Sequence, residues 1–529
     1  MHSTLSAEEI AQLPKDGGAD YNRLIFESSV YLRQHAHQAI NWYAWGQEAW
    51  DLAKITGKPI FLSIGYASCH WCHVMSQESF DDAELAKILN EGFICIKVDK
   101  DEHPNVDSLY MTVTQMLTGH GGWPNTLVLS PDLKPWYAGT YFPKNDTGSQ
   151  IGLMSLLPQL LDEWATDRKA VEDRAEQIQA GLSQLQHFPA DDLGVIHPQD
   201  ITKAVDDISA IYDDEHGGFR GAPKFPPHTS LLFLLELGDK NPRGKEMALH
   251  CLDALACGGI HDHVGGGFHR YSVDSMWLCS HYEKVLSDQA LLLQSYVEAY
   301  DQTGAQRYRE VIEKLWHFLS TQMQDASGGF YAALDADSED ESAAHAEGAY
   351  YLWDPEQLKH ALGDVADECF AYFGIPEAGN HYDEKTGDAT GKVILRIADR
   401  RDLSTLYPAN IATALEKLEG IRARRPLPPL DHKIVVGWNA LLISALARAS
   451  VVLENELLLK AAKDSAAVLW NSAWSDGALA HYICEGTSAG YGTLEDYAAF
   501  AQGLLALADA SNESEWRTRA ITVLDACIQ

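Results

Sequence analysis

Two short runs early in the chain are apolar at nearly every position. Lys58-Pro59-Ile60-Phe61-Leu62-Ser63-Ile64 and Phe93-Ile94-Cys95-Ile96-Lys97-Val98-Asp99 are rich in strand formers, a pattern that predicts buried strands. Between them, residues 82–90 carry apolar positions at helical spacing, with Asn90 and Gly92 as stop signals. Residues 106–117 predict a second helix. Gly121-Gly122-Trp123-Pro124 predicts a turn, and residues 125–130 a third strand. Pro131-Asp132-Leu133-Lys134 reverses the chain into Trp136-Tyr137-Ala138. Strands alternating with helices and ending in a hairpin predict an α/β layer with a mixed sheet over residues 20–150.

Beyond Pro143 the pattern changes. Residues 153–185 are polar-rich and helical, which predicts a connector over 151–195. From about Asp200 apolar residues recur at helical spacing and strand signals thin out. Gly217-Gly218-Phe219, Gly265-Gly266-Gly267-Phe268 and Gly328-Gly329-Phe330 each follow a helical stretch, and Asp476-Gly477 is a weaker fourth case. The intervals are irregular, so a strict-period solenoid is excluded. Helical hairpins joined by Gly-Gly-aromatic turns are expected over 196–529.

Composition narrows the function classes. The 529 residues are 46% hydrophobic and 22% charged, an ordinary globular balance that predicts two to four domains. With 40 Lys+Arg against 76 Asp+Glu, the net charge is −36, which argues against nucleic acid or an anionic membrane surface as a partner. No apolar run approaches the roughly 20 residues needed to span a bilayer. The N-terminus has neither a basic nor an apolar leader segment, so no signal peptide is expected. Nine cysteines, odd in number and mostly scattered, point to a reducing, cytoplasmic setting.

The chemistry concentrates in Cys69-His70-Trp71-Cys72-His73. Cys-x-x-Cys-His is a haem attachment pattern, but it needs an export route that is not visible. Zinc needs two more ligands; no second Cys-x-x-Cys exists, and His70 and His73 are too close in sequence to complete a tetrahedron comfortably. No metal and no cofactor are therefore expected. A dithiol redox centre fits better. Placed between a strand end and a helix start, Cys69 would have its thiolate stabilised by helix N–H groups, with His70 adding charge when protonated. Cys72, one turn on, would resolve the mixed disulfide. Trp123-Pro124 precedes a strand where a thioredoxin-like fold holds a cis-proline. An inert reduced pair remains the alternative.

The run from Lys58 to Met75, with Asn22-Arg23-Leu24-Ile25, Trp42-Tyr43-Ala44-Trp45-Gly46, Gly121-Gly122-Trp123-Pro124 and Gly139-Thr140-Tyr141-Phe142-Pro143, resembles the thioredoxin-domain family of the spermatogenesis-associated protein 20 and YyaL type. The resemblance implies a multidomain chain. A thioredoxin-like domain would be fused to an all-α (α/α)6 toroid similar to six-hairpin glycosidases and sugar epimerases. The chain ends inside what reads as a helix where members of that family continue, so either the toroid is incomplete or the chain is truncated. The candidate redox residues are Cys69, Cys72, Pro124, His70 and Trp71.

Toroid positions matching the family's motifs form a polar set: His261, His269, Arg270, His281, Glu283, Asp335, Asp337, Trp438, Asn439 and Asp496. Carboxylates, histidines and aromatic faces at the mouth of such a barrel suit a small sugar. The leading expectation is a thiol–disulfide oxidoreductase whose partners are a protein thiol or disulfide client or a reductase. One alternative is a sugar epimerase or glycoside hydrolase with a regulatory thioredoxin-like module. The other is a non-catalytic binding scaffold.

Overall fold

The computed structural model describes residues 5–528 apart from 149, 187–193, 341, 343–344 and 401–402. The chain divides into two compact units, residues 1–194 and 195–529.

The first unit is built on a five-stranded sheet of β1 (Trp42–Ala44), β2 (Ile60–Gly65), β3 (Ile94–Asp99), β4 (Asn125–Leu129) and β5 (Pro135–Gly139). The spatial order is β1-β3-β2-β4-β5. β1, β3 and β2 run parallel, whereas β4 is antiparallel to β2 and β5 to β4. The mixed sheet read from the sequence is present. β2 and β3 are buried at every position, and the period of two sends alternate residues to opposite faces. Phe61, Cys95, Val128 and Trp136 enter one core. Ile60, Leu62, Ile64, Ile96, Val98 and Leu127 enter the other. At about 1.5–3 kcal/mol per fully buried large apolar side chain, the two layers fix the sheet's register.

Helices α1 (Gln47–Thr56), α2 (His70–Met75), α3 (Ala83–Gly92) and α4 (Pro104–Thr118) connect the strands. α3 starts where Asp82 accepts hydrogen bonds from the N–H groups of Glu84 and Leu85. α4 has proline at its first position and a left-handed glycine, Gly119, at its end. β1 and α1 carry no strong signal in the sequence: β1 is three residues long and gains its order from pairing with β3.

The segment 151–195 supplies α5 (Leu153–Thr166) and α6 (Arg168–Gln186). Leu153, Leu156, Leu157, Leu160 and Trp164 form a buried stripe on α5. Trp164 stacks on Trp136 of β5 at 6.1 Å. Val171 and Ala175 of α6 join one core, Ile178 and Leu182 the other. Both helices therefore pack into the first unit.

The second unit is dominated by helices. They are α7 (Pro198–Ile211), α8 (His228–Leu237), α9 (Pro242–Cys257), α10 (Leu286–Thr303), α11 (Gln306–Phe318), α12 (Pro355–Leu362), α13 (Ala366–Phe373), α14 (Ala409–Arg422), α15 (Val436–Val452), α16 (Glu456–Val468), α17 (Leu494–Ser511) and α18 (Ser514–Ile528). α8, α10, α15 and α17 pack side by side in that order, and each packs against the helix that follows it. This inner–outer alternation is that of an (α/α)6 toroid. α15 shows why it lies inside: Leu442, Ile443, Ser444, Ala445 and Ala447, which point to different sides of the helix, are all buried. α15 and α17 approach so closely that a Cβ on Gly503 would sit 2.8 Å from the Ala440 carbonyl oxygen.

The glycine turns are present as expected. Gly217, Gly218, Gly266, Gly267 and Gly328 all have positive φ, where a side chain is strained. Short strands are more frequent than the sequence predicts. Asp476-Gly477 turns Trp474–Ser475 into Ala478–Cys484, which also pairs with Thr487–Tyr491.

Candidate functional site

β2 ends at Gly65, and after Tyr66-Ala67-Ser68 the chain enters α2 with Cys69 as its N-cap. Cys69 Sγ accepts a hydrogen bond from the Cys72 backbone N–H at 3.2 Å. α2 continues into a wider turn over Ser76–Phe80, so the cap closes a longer helical segment. Cys69 and Cys72 form a disulfide with Cα atoms 5.2 Å apart. Each cysteine is 3% exposed, so little of either sulfur is open to solvent.

The surroundings are aromatic and charged. Trp123-Pro124 is a cis peptide. Trp123 donates through Nε1 to Asp107 at 2.9 Å and meets Tyr66 edge-on at 5.7 Å. Lys100 lies over the Tyr66 ring at 4.3 Å and pairs with Asp101 at 2.5 Å. His70 and Trp71 are half-buried on the first turn of α2. Trp71 packs edge-on against Tyr141 at 5.0 Å, and the Tyr141 hydroxyl donates to Glu78. Two buried groups escaped the sequence reading. Lys97 on β3 is buried against Trp42 and Phe80, and its amine is held well below the usual lysine range, first by burial. A Cβ on Gly65 would meet both the Tyr31 hydroxyl and Cys72 Sγ.

In the second unit the polar set separates into three places. His261 and His269 line a small cavity of about 30 Å³ with Asp262, His263, Tyr282, Tyr351, Trp353 and Arg422. Arg422 grips Asp262 with two bonds of 2.7 and 2.8 Å, and Lys284 adds a third at 2.8 Å. Burial alone would raise the Asp262 carboxyl, but the two cations hold it well below the carboxylate range. Burial brings Lys284 down to about 8 despite Asp262. His263 and His269 are pushed down to about 4 and about 3, chiefly by burial. His261 donates through Nδ1 to the Ala256 carbonyl at 3.0 Å. That leaves Nε2 a bare acceptor, buried with no protein partner among the described residues.

Arg270, His281 and Glu283 form a second group. Tyr271–Ser272 pairs with Ser280–His281, which stacks the Tyr271 ring on His281 at 4.7 Å. His281 Nδ1 is 2.7 Å from Glu347 Oε1, and its Nε2 lies 3.6 Å from Glu283 Oε1. Glu283 is fully buried and sits 3.4 Å from Arg270 Nε. Burial would lower His281, but the hydrogen bond to Glu347 and the neighbouring carboxylates raise it to about 9. Asp335 and Asp337 are buried on a neighbouring turn, where Asp335 Oδ1 accepts from the Asp337 N–H.

Trp438, Asn439 and Asp496 lie in a third place. Asn439 bonds the Phe330 N–H and carbonyl, clamping the third glycine turn onto α15. Asp496 accepts from the N–H groups of Gly437 and Thr493 and pairs with His481 at 2.7 Å. Trp438 is half-buried against the core. Sequence reasoning missed Arg422, 160 positions from its partner Asp262, and Glu384, which shares space with His281. Neither has a local signal. Among the described residues no helix is long and apolar enough to cross a membrane.

A thioredoxin-like domain with a Cys-x-x-Cys pair on a helix N-terminus, fused to a helical toroid, defines the class of this protein. Residues 21–183 match the family model Thioredox_DsbH, described as a protein of unknown function, DUF255. The chain is 36% identical over 543 residues to spermatogenesis-associated protein 20 of Mus musculus, covering 95% of this chain and 69% of that protein. The corresponding Homo sapiens protein is 36% identical over 544 residues, with the same coverage. The chain belongs to the spermatogenesis-associated protein 20 family. Among solved structures, a sugar epimerase from a ruminal bacterium aligns at TM-score 0.30 and 14% identity, over 62% of this chain and 85% of that one. Unsaturated glucuronyl hydrolase from Bacillus sp. GL1 aligns at TM-score 0.33 and 16% identity, over 56% and 61%. Nothing about what the chain acts on follows from these two likenesses.

Proposed function

We propose that the protein is a thiol–disulfide oxidoreductase. The observation that carries this reading is the capped sulfur: Cys69 Sγ at the start of α2, bonded by the Cys72 N–H and already joined to Cys72. Reduced, the Cys69 thiolate attacks one sulfur of a client disulfide. A Cys69–client bond forms and one client thiolate leaves, taking up a proton from solvent. The Cys72 thiolate then attacks Cys69 Sγ. The second client thiolate leaves and the Cys69–Cys72 disulfide closes, so two electrons have passed to the client. A reductase or a dithiol partner restores the reduced pair. Pro124, His70 and Trp71 shape the surface around the sulfurs.

We assign the redox module to residues 20–150 supported by the helices of 151–195, and the toroid to 196–529. The cavity beside His261 and His269 has room for water-sized occupants and lends the sugar-active reading no support. Seven further cysteines form no disulfide, six of them buried, which suits a reducing compartment such as the cytoplasm. The test is trapping. Reduced Cys72→Ser protein mixed with a disulfide-bonded peptide accumulates a mixed disulfide on Cys69, and Cys69→Ser protein does not. If neither variant traps the peptide and the reduced wild type leaves it oxidised, the proposal is wrong.

A further inference from the structure

We infer that His281, Glu347 and Glu384 form a binding site for a divalent transition-metal ion, with zinc as the best fit. One ligand atom from each residue lies within 4.8 Å of the other two. The three come from separate segments that the fold draws together. His281 lies on the short strand Ser280–His281 and Glu347 on the strand His345–Glu347. Glu384 lies on a loop closed by the Tyr382–Ala389 bridge, and Cys279 anchors that loop by donating its thiol to the Tyr382 carbonyl at 3.4 Å.

The donor set and its surroundings match what a zinc ion requires. One imidazole nitrogen and two carboxylate oxygens are borderline and hard donors, and three protein ligands leave a position open for water. A tetrahedral zinc with bonds of about 2.1 Å holds its ligands about 3.4 Å apart. Where the triad is widest it must contract by up to about 1.4 Å, and Glu384 is the most exposed of the three. The ion would replace the proton now shared between His281 Nδ1 and Glu347 at 2.7 Å.

Around these ligands lies the support that metal-bound histidines use. The far ring nitrogen of His281 faces the fully buried Glu283 at 3.6 Å, ion-pair range and longer than a hydrogen bond; drawn closer, it would give the carboxylate–histidine–metal arrangement that fixes ring orientation and tautomer. Glu283 is in turn held by Arg270 at 3.4 Å, and Tyr271 stacks on the imidazole. His281 is thus backed by Glu283 and Tyr271, with Nδ1 at the Glu347 carboxylate. Nothing in the thiol chemistry of the first unit uses this arrangement.

The test is titration of the full-length protein with ZnCl2 by calorimetry and thermal shift, with the Cys69–Cys72 disulfide closed. Magnesium chloride serves as the control. Wild type is expected to take up one Zn2+ per chain with a rise in melting temperature. Glu384→Gln, at an exposed position, is expected to fold normally and bind at least about tenfold more weakly. Glu283→Gln, behind the site, is expected to cost about 10–100-fold. Cobalt titration reports the donors: imidazole and carboxylate give d–d bands without thiolate charge transfer. No zinc-dependent heat or shift in wild type, unchanged affinity in Glu384→Gln, or a thiolate band with cobalt would each overturn the proposal.

Discussion

The backbone N–H of Cys72 points at Cys69 Sγ from 3.2 Å, so the first sulfur of the pair is also the cap of the helix that carries the second. An N–H donor and the positive end of a helix both favour thiolate over thiol. In the reduced protein the Cys69 thiol is therefore expected to titrate below the free-cysteine value of about 8.5. Iodoacetamide alkylation of the reduced protein as a function of pH measures this, with Cys69→Ser as the blank. An inflection at or above 8.5 would remove the activated-thiolate argument.

Arg422 and Asp262 form a two-bond ion pair in which both side chains are almost fully buried. Removing one partner strands a charge in low dielectric, at a cost of about 3–5 kcal/mol. Arg422→Ala and Asp262→Ala are each expected to show losses in that range by urea denaturation. The joint replacement Asp262→Leu/Arg422→Met is expected to lose less than the sum, because Arg422 and Asp262 leave together, while Lys284 loses its carboxylate and keeps the Gly266 carbonyl. Additive losses would show that the pair acts independently and that its burial is not the governing term.

Much of the first unit is legible from sequence because its signals are local. The apolar runs that become β2 and β3, the helical spacing of residues 82–90 and the Cys-x-x-Cys pair on a strand-to-helix junction all declare themselves within a few residues. The glycine turns of the second unit do so too, since Gly217, Gly218, Gly266, Gly267 and Gly328 have the positive φ that favours glycine. The polar set did not resolve the same way. Asn439 and Asp496 are site candidates through their match to the family's motifs, and the fold uses both to bond backbone groups around the glycine turn and α17. Arg422 and Glu384 become neighbours of Asp262 and His281 only through the packing of distant segments, which no spacing rule encodes.

Stability is expected to fall on mild acidification. His263 and His269 are neutral and buried, with folded values of about 4 and about 3 against about 6.5 in the unfolded chain. Asp262 faces both rings and opposes the shift, whereas Lys314 faces His263, and Lys284 and Arg422 face His269. A depressed histidine value means that the unfolded state takes up protons that the folded state refuses. Stability is therefore intact above about pH 6.5 and declines below it, by up to about 1.4 kcal/mol per pH unit per histidine. Between pH 7 and 5.5 the two together are expected to cost about 2–3 kcal/mol. Urea denaturation at several pH values checks this; His261 and His35, also buried and depressed, add in the same direction and His281, raised to about 9, opposes, so His269→Gln is expected to remove only its own share of the slope. A flat profile over that window would contradict the buried neutral pair.

Gly65 ends β2 directly beneath the redox pair, and no side chain fits there. A Cβ at this position would lie 2.7 Å from Cys72 Sγ and closer still to the Tyr31 hydroxyl. Both neighbours are buried, Tyr31 at 1% exposure and Cys72 at 3%, so neither can swing away cheaply. Gly65→Ala is expected to destabilise the protein by about 1–3 kcal/mol, the usual cost of overpacking a core. It is also expected to displace Cys72 Sγ and slow the second step, in which Cys72 attacks the Cys69–client bond. The mixed disulfide would then persist longer than in wild type, as read by acid-quenched gel analysis after mixing reduced protein with a disulfide-bonded peptide. Adding Tyr31→Phe removes the hydroxyl from the clash and is expected to recover part of the stability. The Cys72 contact remains in that double variant, so the slow resolution is expected to persist. Wild-type melting and wild-type resolution in Gly65→Ala would show that the strand end tolerates a side chain and does not set the position of the resolving sulfur.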